Sequence, residues 1–195
     1  MSPAQRTKRA DAERSIAAIL DAALAEFVVN PDVSMSDIAR AAGVGRVTLY
    51  GHFPSREAVL EAVFTRTIEQ AEQALAELDL DSLPADRAMA HLIRSSWRII
   101  DQHRRLLVAV NRHLGPEVLR AHHEAPMRRV HGLIERGRDE GVFRTDLPVE
   151  WLVTVFHSLA HTAAIEADSG RLHPVFVADY LEITLVGLFK SPRGL

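Results

Sequence analysis

The 195-residue chain contains no cysteine. That removes disulfides, thiolate metal sites and cysteine nucleophiles together, and it fits a reducing compartment. No stretch approaches the roughly 18 unbroken apolar residues of a membrane span. The opening "MSPAQRTKRADAERS" is polar and lacks the apolar core of a signal peptide. A cytoplasmic protein with no membrane partner is therefore expected. Alternating strand patterns, internal repeats and low-complexity tracts are absent as well. With 47% apolar and 25% charged residues the composition is that of an ordinary globular protein. A net charge of −3 does not describe a general polycation. The first 20 residues differ: Arg6, Lys8, Arg9 and Arg14 oppose only Asp11 and Glu13, a short basic arm suited to phosphate or to plain solvation.

Motifs of catalysis are missing too. There is no HExxH, no Glu followed three residues later by His, no G-x-S-x-G elbow and no glycine-rich loop behind a strand. Ten histidines remain as the feature that invites an enzyme or metal reading. His157 and His161 stand four apart on a predicted helix, a spacing that can hold a metal. A pair alone is not a metal centre, and His122 and His123, being adjacent, point to different faces. The pair is read as an interface or core contact, and no cofactor or metal is expected.

What the sequence does contain is helical periodicity. Ile16, Ile19, Leu20, Ala23, Leu24 and Phe27 form one stripe that stops near "VVNPDVS". Ser34 with Asp37 fits a capping box for a short helix ended by Gly43. A second short helix starts near Arg46 and ends before Pro54, which biases Phe53 away from helical angles. Ser55 can cap the next, whose stripe runs from Leu60 through Phe64 to Leu78. Beyond the break at "LDLDSLPAD" four or five helices follow. Met89 to Ile100 mark one and Leu106 to Val110 a separate shorter one. Val130 to Gly137 mark a third, Leu152 to Ala163 a fourth, and Leu181 to Leu188 the last. The expected fold is all-α, with an N-terminal three-helix helix-turn-helix domain at 1–54 and a larger helical domain at 55–195.

Two short helices joined at a glycine and braced by a third make a helix-turn-helix, whose second helix enters the major groove. In "VGRVTLYGHFP" the apolar Val44, Leu49 and Phe53 can face a core. That leaves Arg46, Val47, Thr48, Tyr50 and His52 outside, a mixture of donors and small apolar groups such as base edges and phosphates require. "MSDIARAAGVGRVTLYGHFPSREAVLEAV" resembles the DNA-binding domain of the TetR family of transcriptional regulators. The likeness rests on "IA..AGV" and "TLY.HFPSRE" behind a helix ending in "ILDAALAEF", over roughly Ile16 to Phe64. It implies that Tyr50, His52 and Arg56 meet phosphates and that Arg46, Val47 and Thr48 sit nearest base edges. Ser36 would add a backbone contact, Gly43 would make the turn, and Ile38, Ala39, Ala42, Leu49 and Phe53 would be structural. Gly45 replaces the Ser or Thr that often caps the recognition helix in that family, and Val47 replaces a smaller residue.

"WLVTVFHSLAHTAAIEA" and "VADYLEITLVGLF" look too apolar for one buried face each, which points to a homodimer through the last two helices. The resemblance implies the same interface, a palindromic operator, repression, and release by a small-molecule effector. Phe64, Trp97, Met127, His131, Phe156 and Thr162 mix apolar bulk with polar tips and are the candidate effector pocket, although each also suits plain core packing. The rival reading is an all-α metal- or ligand-binding protein or enzyme in which the helix-turn-helix is incidental.

Overall fold

A computed structural model describes residues 3–190 of the chain. Eight helices run in order: α1 (Pro3–Val29), α2 (Met35–Ala41), α3 (Arg46–His52), α4 (Arg56–Ala76), α5 (Ala85–His113), α6 (Pro116–Asp139), α7 (Val149–Asp168) and α8 (Pro174–Phe189). The only extended pairing among the described residues is an isolated bridge between Phe143 and Lys190. The all-α expectation holds. Within the described residues, no helix is long and apolar enough to cross a membrane. The side chains of Arg6, Lys8 and Arg9 in the basic arm lie outside the described residues; Arg14 is exposed and pairs with Asp11 one turn earlier.

Two compact units divide the chain. The first runs to Ile68 and takes in Arg105–Leu119; the second is Glu69–Arg104 with the chain from Arg120 onward. In the first unit Ile19, Ala23 and Phe27 of α1, Ile38 of α2, Leu49 of α3 and Val59, Leu60, Val63 and Phe64 of α4 are buried. These are the apolar positions that the 3.6-residue period brings to one face of each helix. Burying each large side chain contributes about 1.5–3 kcal/mol.

Local chemistry sets the short helices. The Ser34 hydroxyl accepts from the Asp37 N–H at 3.2 Å and donates to the Asp37 carboxylate at 2.6 Å. The expected cap thus forms, and hydrogen bonds from Ser34 hold the Asp37 carboxyl below its usual range. Gly43 adopts φ +65°, the left-handed turn that ends α2 and admits glycine without a Cβ clash. Phe53 is extended at φ −132°, as its position before Pro54 requires. Ser55 Oγ accepts from the Ala58 N–H at 3.1 Å and opens α4.

One expectation needs correcting. The stripes at Met89–Ile100 and Leu106–Val110 belong to a single 29-residue helix, α5. The polar stretch between them does not break it, because Arg104 turns back to Asp101 on the same helix at 2.5 Å. Four helices rather than five therefore follow α4.

In the second unit arginines tie loops to helices. Arg136 of α6 donates to the carbonyls of Leu80 and Leu83, each at 3.0 Å. Trp97 Nε1 donates to Pro174 O at 3.3 Å and fastens α5 to the start of α8. After α6, Gly141 turns at φ +73° and the Phe143 ring folds back over Gly137. A Cβ at Gly137 would lie 2.0 Å from that ring. Gly137→Ala should therefore lower stability by about 1–3 kcal/mol through overpacking, read as a lower urea midpoint at unchanged m-value; an unchanged midpoint would mean the ring moves aside without cost.

Candidate functional site

The recognition element is α3, seven residues long. Its single buried side chain, Leu49, pins it to the first unit, with Val44 and Phe53 half-buried at either end. The opposite side carries Arg46, Val47, Thr48 and Tyr50, all exposed. Val47 is 88% exposed and Tyr50 53%. Among the described residues Arg46 forms no ion pair and no hydrogen bond, which leaves its guanidinium fork open to a carbonyl–imine edge or a phosphate. Gly45 caps α3 without a side-chain hydrogen bond. His52 is half-buried beside Phe53, with ring centroids 6.5 Å apart, and Ser36 is half-buried in the first turn of α2.

Arg56, expected at a phosphate, makes a set of internal contacts. Its side chain is only 16% exposed. Nε donates to Val33 O at 3.0 Å, Nη2 donates to Pro31 O, and Nη1 meets Glu57 at 3.2 Å. The guanidinium also lies over the Phe27 ring, 5.6 Å from its centroid. A planar fork matches two carbonyls of the α1–α2 loop at once. Arg56 is thus a clamp on that loop. Asp32 sits in the same loop, 3.1 Å from Arg112 and 2.9 Å from His113 at the end of α5. Sequence reading missed this because neither partner lies within a helical turn of the other.

The six candidate pocket residues are dispersed. Phe64 is buried in the core of the first unit, and Trp97 and Phe156 are buried in the second. Thr162 is exposed on α7. Met127 and His131 come together in an open cleft of about 440 Å³ between α6 and α7, with Glu124, Arg128, Glu150, Val153 and Thr154. His131 Nδ1 is 3.5 Å from Glu135 on its own helix.

A second gathering of side chains lies on the same two helices. His161 Nε2 is 3.0 Å from His123 Nε2, and the His157 ring packs against both. Desolvation, aided by the neighbouring imidazoles, pushes His157 down to about 4 and His161 down to about 3. Both rings are therefore uncharged at neutral pH. The sequence offered the pair on α7 but not His123, which arrives from another helix.

An all-helical chain with a glycine turn between α2 and α3 and an exposed polar face on α3 defines a helix-turn-helix protein. Residues 19–63 match the family model described as bacterial regulatory proteins, tetR family. It is 36% identical over 83 residues to the transcriptional repressor LfrR of Mycolicibacterium smegmatis, a match covering 43% of this chain and 44% of LfrR. It is 43% identical over 56 residues to the transcriptional regulator EthR of Mycobacterium tuberculosis, covering 29% of this chain and 26% of EthR. The matched stretch thus spans less than half the length of either relative. The crystal structure of LfrR from Mycobacterium smegmatis with proflavine superposes with a TM-score of 0.67 at 23% identity, covering 92% of this chain and 98% of that one. FadR of Bacillus subtilis with stearoyl-CoA gives a TM-score of 0.75 at 18% identity, covering 88% and 98%. At such identities the structures speak for a shared fold.

The Arg56 clamp generates a test. Arg56→Ala should destabilise the first unit by about 2–3 kcal/mol, since two carbonyls lose a charged donor. Arg56→Lys should recover little of it, because an ammonium cannot bridge both. Chemical denaturation of the three proteins measures this; full recovery by lysine would show that charge rather than the fork matters.

Proposed function

We propose that the protein is a sequence-specific DNA-binding transcriptional regulator, acting as a cytoplasmic repressor released by a small-molecule effector. The observation that carries this is the exposed face of α3, where Arg46, Val47, Thr48 and Tyr50 stand clear of the core while Leu49 holds the helix down. Arg46, with its bidentate fork, reads a base edge, guanine being the base its geometry suits best. Val47 meets a thymine methyl, and Thr48 adds a hydroxyl at the groove floor. Tyr50, His52 and Ser36 hold phosphates and so fix register rather than sequence. DNA binding is assigned to residues 1–54, and effector binding and dimerisation to residues 55–195.

One such module has modest affinity, so two copies bind a palindromic operator with half-sites about 34–36 Å apart or a multiple of that. The homodimer is supported by the apolar side chains left in water on the last two helices: Trp151 and Ile165 on α7, and Val175, Phe176, Tyr180 and Ile183 on α8. Ile183 is 74% exposed. Six exposed apolar side chains on two helices in contact suit an interface.

LfrR and FadR were crystallised with proflavine and stearoyl-CoA, molecules that join an extended apolar part to charged groups. A ligand of that character, entering through the cleft at Met127 and His131, is proposed here as the effector. Its leverage equals its differential affinity for the DNA-competent and DNA-incompetent states.

Selection of bound duplexes from a random pool, re-measured by fluorescence anisotropy at several salt concentrations, tests the reading. A palindromic winner bound well above random DNA is expected, and no enrichment at any salt would overturn it. Arg46→Ala should cost about 1–3 kcal/mol on that site and relax preference at one base position. Tyr50→Phe should weaken all duplexes alike. Equal loss on every sequence in Arg46→Ala would move that residue from base to backbone. For the dimer, Ile183→Asp should shift sedimentation equilibrium toward monomer while leaving the helical circular dichroism intact.

A further inference from the structure

His123 of α6 and His157 and His161 of α7 converge inside the second unit. One ring nitrogen of each lies within 4.8 Å of the others. The ring centroids are 4.6, 4.8 and 4.3 Å apart in the three pairs. None of the three side chains is exposed.

An imidazole withdrawn from water has two nitrogens to satisfy. Nε2 of His157 is buried and has no hydrogen-bond partner among the described residues. It faces neither a carboxylate nor a backbone carbonyl, but two more imidazoles. Three uncharged rings turned toward one another cannot all satisfy their Nε2 atoms by hydrogen bonds among themselves. A single positive ion at their centre accepts a lone pair from each.

We infer that His123, His157 and His161 form a binding site for one divalent transition-metal ion of the zinc class. The donor set selects the class. Three imidazoles without a carboxylate are poor ligands for magnesium or calcium, which demand oxygen, and good ligands for zinc, cobalt, nickel or copper. The geometry fits as well. Nitrogens bound at about 2.0–2.1 Å around a tetrahedral ion stand roughly 3.3 Å apart. The His123–His161 pair is already at 3.0 Å. His157 stands four residues before His161 on α7 and shares its face, so a side-chain rotation closes the remaining gap. Three protein ligands leave a fourth position for water or an anion.

The test uses the full, untagged chain stripped with a chelator. Zinc is titrated by calorimetry, and cobalt by its visible absorption, whose intensity separates tetrahedral from octahedral coordination. One saturable ion per chain with a tetrahedral cobalt spectrum is expected, together with no response to magnesium. His157→Ala and His161→Ala should each weaken zinc by more than the roughly tenfold typical of losing an outer-shell partner. His131→Ala, whose ring pairs with Glu135, and His122→Ala should leave it unchanged. His123→Gln serves as a second ligand variant. Circular dichroism of each metal-free variant separates ligand loss from misfolding. Non-saturating binding to the parent chain, an octahedral cobalt spectrum, or equal weakening in His122→Ala would overturn the proposal. None of these readouts involves DNA, so their failure would leave the regulatory reading untouched.

Discussion

The loop between α1 and α2 is held by one guanidinium. Arg56 reaches back from the first residue of α4 to the carbonyls of Pro31 and Val33 and lies on the Phe27 ring. This contact closes the first unit: it joins the end of α1, the loop that precedes the α2 cap, and the start of α4. The Ser34 cap, the Gly43 turn and the placement of α3 all follow from a loop that cannot open.

The same device recurs in the second unit. Arg136 binds Leu80 O and Leu83 O, Arg138 binds Arg144 O and Leu147 O, and Arg144 reaches Leu188 O. A helical protein has no ladder to satisfy its loop carbonyls, and buried backbone groups must find partners. Here long planar side chains anchored on helices supply them. Their aliphatic stems pack while their heads bond. An arginine in this chain is thus read by where its head is tied, and Arg46, which has no ion pair among the described residues, is the one that the proposed DNA reading uses.

Much of this was legible in the sequence. Periodicity gave the helices, Ser34, Gly43, Pro54 and Ser55 gave their ends, and the spacing of Arg46, Val47, Thr48 and Tyr50 around Leu49 gave the exposed face. These are local signals, settled within a turn or two of chain. What failed to show was set by partners far along the chain. Arg56 reads as a surface charge at a helix start until Pro31 and Val33 are folded against it. The break expected near Asp101 vanishes because Arg104 pairs within the helix. His123 is 38 residues from His161, and no helical period links them. Of the six pocket residues Met127 and His131 line one cleft, and the sequence did not single out that pair, since apolar stripes report burial and not which cavity they line.

Gly137 and Phe143 illustrate how such packing constrains a chain over time. The ring occupies the place where any other residue's first side-chain carbon would stand. The two positions therefore do not drift independently. A larger residue at 137 becomes acceptable only after the ring at 143 has shrunk, and a smaller residue at 143 leaves a void until 137 has grown. Any viable substitution path passes through an intermediate less stable than either end. Glycine in the last turn of a helix ordinarily reads as a stop signal in the sequence, but here it is half of a two-residue unit that changes together or stays as it is.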